Sequence, residues 1–177
     1  MVLRMAPCEW HFAMECKRRW GAGMDQKQVD ELMTGLADYY ENVIPFNTVL
    51  GIRMERFSLD GAVVGFDMRD DLVGNTRKGI LHGGVISSVL DFTGGAIAQI
   101  SMLKEMLDEP VEAFLDRVVH LGTIDLRVDY IRPGTGSRFF ATGETLRMGR
   151  RVAVVRSELR NDEERLIAAG TGSYTVG

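Results

Sequence analysis

Between Gly83 and Leu103 the chain carries its longest apolar stretch, GGVISSVLDFTGGAIAQISML. Coiled as a helix, it presents apolar residues on nearly every side, and such a helix has to be covered on most of its surface. A membrane span needs about 20 mainly apolar residues. Asp91, Gln99 and the repeated Gly and Ser break that requirement here, so the segment is expected to be a helix buried in a soluble fold. It should run from about Gly83 to Leu107, where Asp108-Glu109-Pro110 closes it.

The rest of the chain supplies the cover. Apolar residues at Val29, Leu32, Met33, Leu36, Tyr39, Tyr40 and Val43 recur at helical spacing from Gln28 to Ile44, and Pro45 ends that pattern. Val49–Phe57 is strand-like, and Leu59-Asp60-Gly61 turns it into a second strand. A polar loop from Arg69 to Gly79 leads to the long helix, and VEAFLDRVV suits a short helix after it. From Gly122 the pattern turns to β: Thr123–Arg132, Arg138–Met148, Arg151–Arg160 and Leu166–Val176, with breaks at Pro133-Gly134, Gly149-Arg150 and Asn161-Asp162. Short connections favour antiparallel hairpins. The expected class is α+β, a curved antiparallel sheet wrapped around a long central helix. Residues 24–177 form one domain on this reading, and 1–23 a disordered extension.

With 45% apolar and 26% charged residues in 177, the composition is that of an ordinary globular protein. The net charge of −4 argues against nucleic acid or an anionic membrane as partner. Cys8 and Cys16 are the only cysteines, and His11, His82 and His120 stand far apart. Neither a disulfide framework nor a metal site follows from these spacings, and no metal or redox cofactor is indicated. The N-terminus lacks the apolar core of a signal peptide. A reducing cytoplasm is the expected compartment.

Asp91 is the residue that most needs an explanation. An isolated carboxylate among Val89, Leu90, Phe92, Ile97 and Ile100 is costly unless paired or set in a cleft. Burial would raise its pKa and make it a stronger base. A structural aspartate bonded to an amide or an arginine fits as well. His82-Gly83-Gly84 stands at the helix entrance, where unsatisfied N–H groups and the helix dipole suit a developing oxyanion. The same residues also fit a plain glycine-rich helix entry.

Gly83 and Asp91 are eight residues apart, roughly 12 Å along a helix axis. One carbonyl cannot easily meet both within one chain. Two such helices, antiparallel across a two-fold axis, would bring Gly83 of one chain to Asp91 of the other. Gly94-Gly95, costly inside a helix, suggests close approach by a neighbour or by substrate, or a simple helix kink. Asn75, ahead of His82, offers a donor and an acceptor for a water, or serves as a turn residue after Gly74.

GILHGGVISSVLD, from Gly79, resembles the signature of the hotdog-fold acyl-CoA thioesterases, with an acidic residue nine positions after the histidine. GTIDLRVDYIRPG, Gly122–Gly134, is similar to the same family's strand ending in Tyr-x-Arg-Pro. The resemblance spans roughly Val49–Val176, and the insertion Ser101–Leu121 looks most like the YigI-like members of the phenylacetate-type branch. It implies a hotdog fold and a homodimer or a pair of dimers. It also implies that Asp91 is the catalytic carboxylate, as base or nucleophile, and that the Gly83 N–H polarises the thioester carbonyl. His82 would support that loop, Asn75 would orient water or substrate, and Thr123 would assist near the carboxylate. Coenzyme A phosphates would need a grip, for which Arg132, Arg150 and Arg151 are the candidates, and Gly84 is expected among the substrate-binding residues.

Hydrolysis of an acyl-CoA, medium- or long-chain or aryl, is the leading expectation. One alternative is dehydration or hydration of an acyl thioester, whose enzymes pair a loop histidine with an acidic residue in another motif context. The other is a non-catalytic acyl-CoA sensor, but no basic recognition helix is evident.

Overall fold

The computed structural model describes residues 23–177; the expected extension lies outside them except for Gly23, as do both cysteines. The chain runs α1 (Gln26–Asp38), a π-helical turn (Tyr39–Val43), α2 (Pro45–Leu50), β1 (Arg53–Ser58), β2 (Gly61–Asp67), a 3₁₀ turn (Asp70–Leu72), β3 (Val73–Asn75) and β4 (Ile80–Leu81). Then follow α3 (Gly83–Glu105), α4 (Val111–Val118), β5 (Gly122–Tyr130), β6 (Arg138–Met148), β7 (Val152–Asn161) and β8 (Leu166–Thr175).

Six antiparallel strands form one sheet in the order β1-β2-β6-β7-β8-β5, and β3 pairs with β4 separately. The sheet packs on α3, whose Val85, Ile86, Val89, Leu90, Ile97, Ile100, Met102 and Leu103 are all buried. Burying each such side chain contributes about 1.5–3 kcal/mol, so this interface dominates the core. By length and composition α3 is apolar enough to cross a membrane, but 67% of its most apolar window is buried inside the fold. This is the hotdog fold.

Three expectations are corrected. Pro45 does end the first helical pattern, but it also begins α2: Ile44 is the extended N-cap and Pro45 occupies the first turn, where its missing N–H costs nothing. Val49 and Leu50 are therefore helical, not strand, until Gly51 closes α2 in the left-handed region at φ 69°. The last four strands are not a simple meander. β5 pairs with β8 and becomes the sheet edge, while β6 lies between β2 and β7. The connection Ile131–Ser137 is long enough to carry the chain past β8 and β7.

The two edges differ. At β1 the Met54 N–H donates to the Glu41 carboxylate, which covers part of that edge. β5 is exposed along most of its length, with Ile124 54% and Tyr130 56% accessible.

Candidate active site

The sheet covers only one side of α3. Gly83, Gly84, Ser87, Ser88 and Asp91 fall on a stripe at three- and four-residue spacing that remains half-buried or exposed. Asp91 is therefore not a buried charge, and the expected penalty for isolating it in the core does not arise. It sits where the open stripe meets the ceiling made by the π-helical turn.

Thr123 Oγ1 donates to Asp91 Oδ1 at 2.8 Å. A β-bulge makes this contact. Pairing to β8 jumps from Thr123–Tyr174 to Asp125–Ser173, leaving Ile124 as the extra residue. Thr123 and Leu126 are three residues apart and would otherwise face opposite sides of the sheet. The inserted residue restores them to one side, toward the helix.

Tyr174, 1% exposed, donates its hydroxyl to the Asp91 carbonyl at 3.2 Å. Burial first, and then the Asp91 charge, hold its pKa above the usual phenol range. It therefore stays a neutral donor. The Gly94-Gly95 pair serves this ring: a Cβ at Gly94 would lie 2.0 Å from the Tyr174 hydroxyl oxygen. The close approach expected at Gly94 comes from the same chain's own β8.

Asp91 and Thr123 line a cavity of 150 Å³ whose other walls include Tyr40, Ile44, Phe92 and Leu121. The π-helical turn places Tyr40 and Ile44 there. Its wide hydrogen bond, from Ile44 N–H to the Tyr39 carbonyl at 3.2 Å, leaves the Tyr40 carbonyl to accept from buried Asn47 at 3.0 Å. Tyr40 packs edge-on against Phe92 with centroids 5.1 Å apart.

The helix entrance is a separate place. His82 is the N-cap of α3, and its Nδ1 accepts from the Gly84 N–H at 2.9 Å. A neutral imidazole so engaged carries its proton on Nε2. This bond occupies the Gly84 amide. The Gly83 N–H meets no acceptor among the described residues, while the Gly83 carbonyl accepts from the Tyr130 hydroxyl at 3.0 Å. Gly83, Tyr130 and Arg132 border a groove of 370 Å³ with Ile80, Ile86 and Pro133.

The remaining candidates divide. Asn75 Oδ1 accepts from the Arg77 and Lys78 N–H groups at 3.1 and 3.3 Å, which is turn chemistry; only its NH₂ is left for a water. Arg132 stands at the entrance groove and donates to the Leu166 carbonyl at 3.0 Å. Arg150 and Arg151 stand at the far end of the sheet, because Val152 shares the row of Thr175 and Gly122. Eight residues of β5 separate that row from Tyr130, roughly 25 Å, so the three arginines do not meet within one chain. The sequence pattern assigns no site role to Tyr40, Tyr130 or Tyr174. The glycine pair was the one signal that pointed toward Tyr174.

The thioesterase superfamily model matches residues 78–168, the span from the loop before α3 to the start of β8. The chain is 45% identical over 134 residues to the medium/long-chain acyl-CoA thioesterase YigI of Escherichia coli K12, covering 76% of this chain and 86% of that protein. A Shewanella oneidensis protein related to the thioesterase superfamily superposes with TM-score 0.81 at 42% identity, over 84% of this chain and 97% of that one. A chain from Syntrophus aciditrophicus does so with TM-score 0.76 at 39% identity, over 86% and 100%.

Proposed function

The chain belongs to the thioesterase superfamily and is a thioester hydrolase, and from that premise we propose that it cleaves medium- or long-chain acyl-CoA in sites each assembled from two chains. One observation carries the reading. Asp91, bonded by Thr123, lines an apolar cavity, while Gly83, whose N–H meets no acceptor among the described residues, borders a different groove about 12 Å along the same helix.

The acyl chain enters the cavity beneath Tyr40 and Ile44. Thr123 occupies one Asp91 oxygen, which leaves the other to take a proton from water as that water attacks the thioester carbonyl. Attack by Asp91 itself is the other form of the same step. The oxygen that gains charge accepts from the Gly83 N–H, with the dipole of α3 behind it. Collapse expels the coenzyme A sulfur, which takes the proton back from Asp91. His82 holds the entrance in shape through Gly84, and its Nε2–H is left free to donate.

Pairing two β5 edges across a two-fold would run two α3 helices antiparallel and bring the cavity of one chain to the groove of the other. Arg132 of one chain and Arg150 and Arg151 of its partner would then lie at one end of the pair, where phosphates need cations. A cytoplasmic enzyme fits the substrate.

The test is free-thiol release from short, medium, long and aryl acyl-CoAs by the wild type and Asp91→Asn. We expect turnover of medium or long chains and a fall of about 10²–10⁴-fold in the variant. Undiminished turnover by Asp91→Asn would remove Asp91 from the chemistry. Tight binding with no turnover of any thioester would make the protein an acyl-CoA sensor.

A further inference from the structure

Gly94 and Gly95 are adjacent in α3 and both face Tyr174, but at different distances. Gly94 is buried, and a Cβ on it would run into the Tyr174 hydroxyl. Gly95 is half-buried. Outside its own helix backbone, the atoms within 4 Å of a Cβ at Gly95 belong to the Tyr174 ring, at 3.8 and 4.0 Å. Those are ordinary van der Waals contacts. The ring forbids a side chain at Gly94 and does not forbid one at Gly95. A glycine that alanine could replace without a clash is a standing cost inside a helix, and packing within the chain gives no reason for it.

The cavity that holds Asp91 supplies one. Gly95 and Tyr174 are both among its walls. Along α3 those walls are Asp91 and Phe92 on one turn and Gly95 and Ala96 on the next, a four-residue step that keeps both pairs on one face. The second pair carries almost no side chain, and it lies one turn past the carboxylate, roughly 6 Å along the axis. We propose that Gly95 is a specificity-determining residue, its missing side chain admitting acyl chains long enough to pass that turn; this rests on the acyl-CoA hydrolase reading above. An extended chain advances about 1.2 Å per bond, so acyl groups of about six carbons or more reach Gly95 and shorter ones stop before it. The cavity measures 150 Å³, about the size that encloses one benzene molecule. A methyl added at Gly95 takes a share of that space that a long chain needs and a short one does not.

The experiment measures kcat/KM for straight-chain acyl-CoAs from butanoyl to dodecanoyl with wild type, Gly95→Ala and Gly95→Val, alongside urea unfolding and the oligomeric state of each protein. Gly95→Ala should resist urea at least as well as wild type, because alanine is the better helix former. Its ratio of kcat/KM for octanoyl over butanoyl should fall about tenfold or more, the weight of one methyl in an apolar pocket. The change should come mainly through KM, because the contact is remote from the reacting atoms. Gly95→Val should move the preference to shorter chains still. Reading a ratio within each protein cancels any loss of folded material. A ratio unchanged in Gly95→Ala, or a wild type confined to butanoyl-CoA, would overturn this inference and leave the thioesterase reading standing. An equal loss at every chain length would overturn it too, and would assign Gly95 to the approach of a second chain. No turnover of any thioester by wild type would overturn both readings.

Discussion

Tyr174 sets the terms for Gly94 and, through its hydroxyl, for the backbone of Asp91. In an ordinary exposed helix, glycine to alanine gains about 1 kcal/mol. At Gly94 the added carbon would sit 2.0 Å from the Tyr174 hydroxyl oxygen, and at Gly172, two residues before Tyr174 on β8, it would sit 2.6 Å away. The ring is 1% exposed and its hydroxyl is bonded to the Asp91 carbonyl, so overpacking outweighs propensity. Gly94→Ala is expected to destabilise the protein by about 1–3 kcal/mol in urea unfolding, and turnover should fall with it as Asp91 is displaced. A stabilised Gly94→Ala protein would mean that Tyr174 does not clamp the helix. Nothing local to Tyr174 announces this role. It depends on Gly94 meeting a ring some eighty residues farther along the chain, and a linear pattern does not carry that.

At the scale of elements, burial decides what was legible beforehand. α3 and β6 were readable because one is apolar on most sides and the other alternates against a covered face. The expected Arg138–Met148 coincides with the observed strand. Helix α2 was not readable, since a proline that stops one helix can start the next, and Val49 and Leu50 suit either state. The order of strands was hidden too. Whether β5 pairs with β6 or β8 depends on which faces α3 leaves for the chain to return to. One ionic cluster fastens the other edge, where Arg53 and Arg138 both contact Asp67 and Glu55 across β1, β2 and β6. The Arg53 guanidinium, hydrogen-bonded to Asp67, holds that carboxyl below its usual pKa. A depressed folded pKa means the stabilisation is present above the unfolded value and is lost as pH falls through the folded one. The groups are exposed and screened, so Asp67→Asn should cost about 1 kcal/mol or less at neutral pH and low salt. That cost should shrink toward zero as acid protonates the Asp67 carboxyl, and in high salt. A cost constant across pH would assign the effect to packing instead of charge.

For the whole molecule, the proposed site exists only if two chains meet. The spacing of Gly83 and Asp91 was legible from the helix rise alone. The exposure of β5, the bulge at Ile124 and the open stripe on α3 were not, because each depends on what the rest of the fold covers. Gly83 offers a clean way to delete the proposed oxyanion donor. It is the first residue of α3, where proline is tolerated, and His82 before it is already extended at φ −67°, ψ 137°, as proline requires of its predecessor. The nearest atoms to a Cβ there would be those of the Tyr130 side chain, at 3.5 Å, an ordinary van der Waals contact. Gly83→Pro should therefore fold, dimerise and lose most turnover. The direct test joins a differently tagged Asp91→Asn chain to a Gly83→Pro chain and purifies the mixed dimer. If each site takes Asp91 from one chain and Gly83 from the other, one of the two sites in that dimer is intact, and it should recover about half of wild-type turnover although both parents are inactive. A mixed dimer as inactive as its parents would place both groups in the same chain's site and contradict the account.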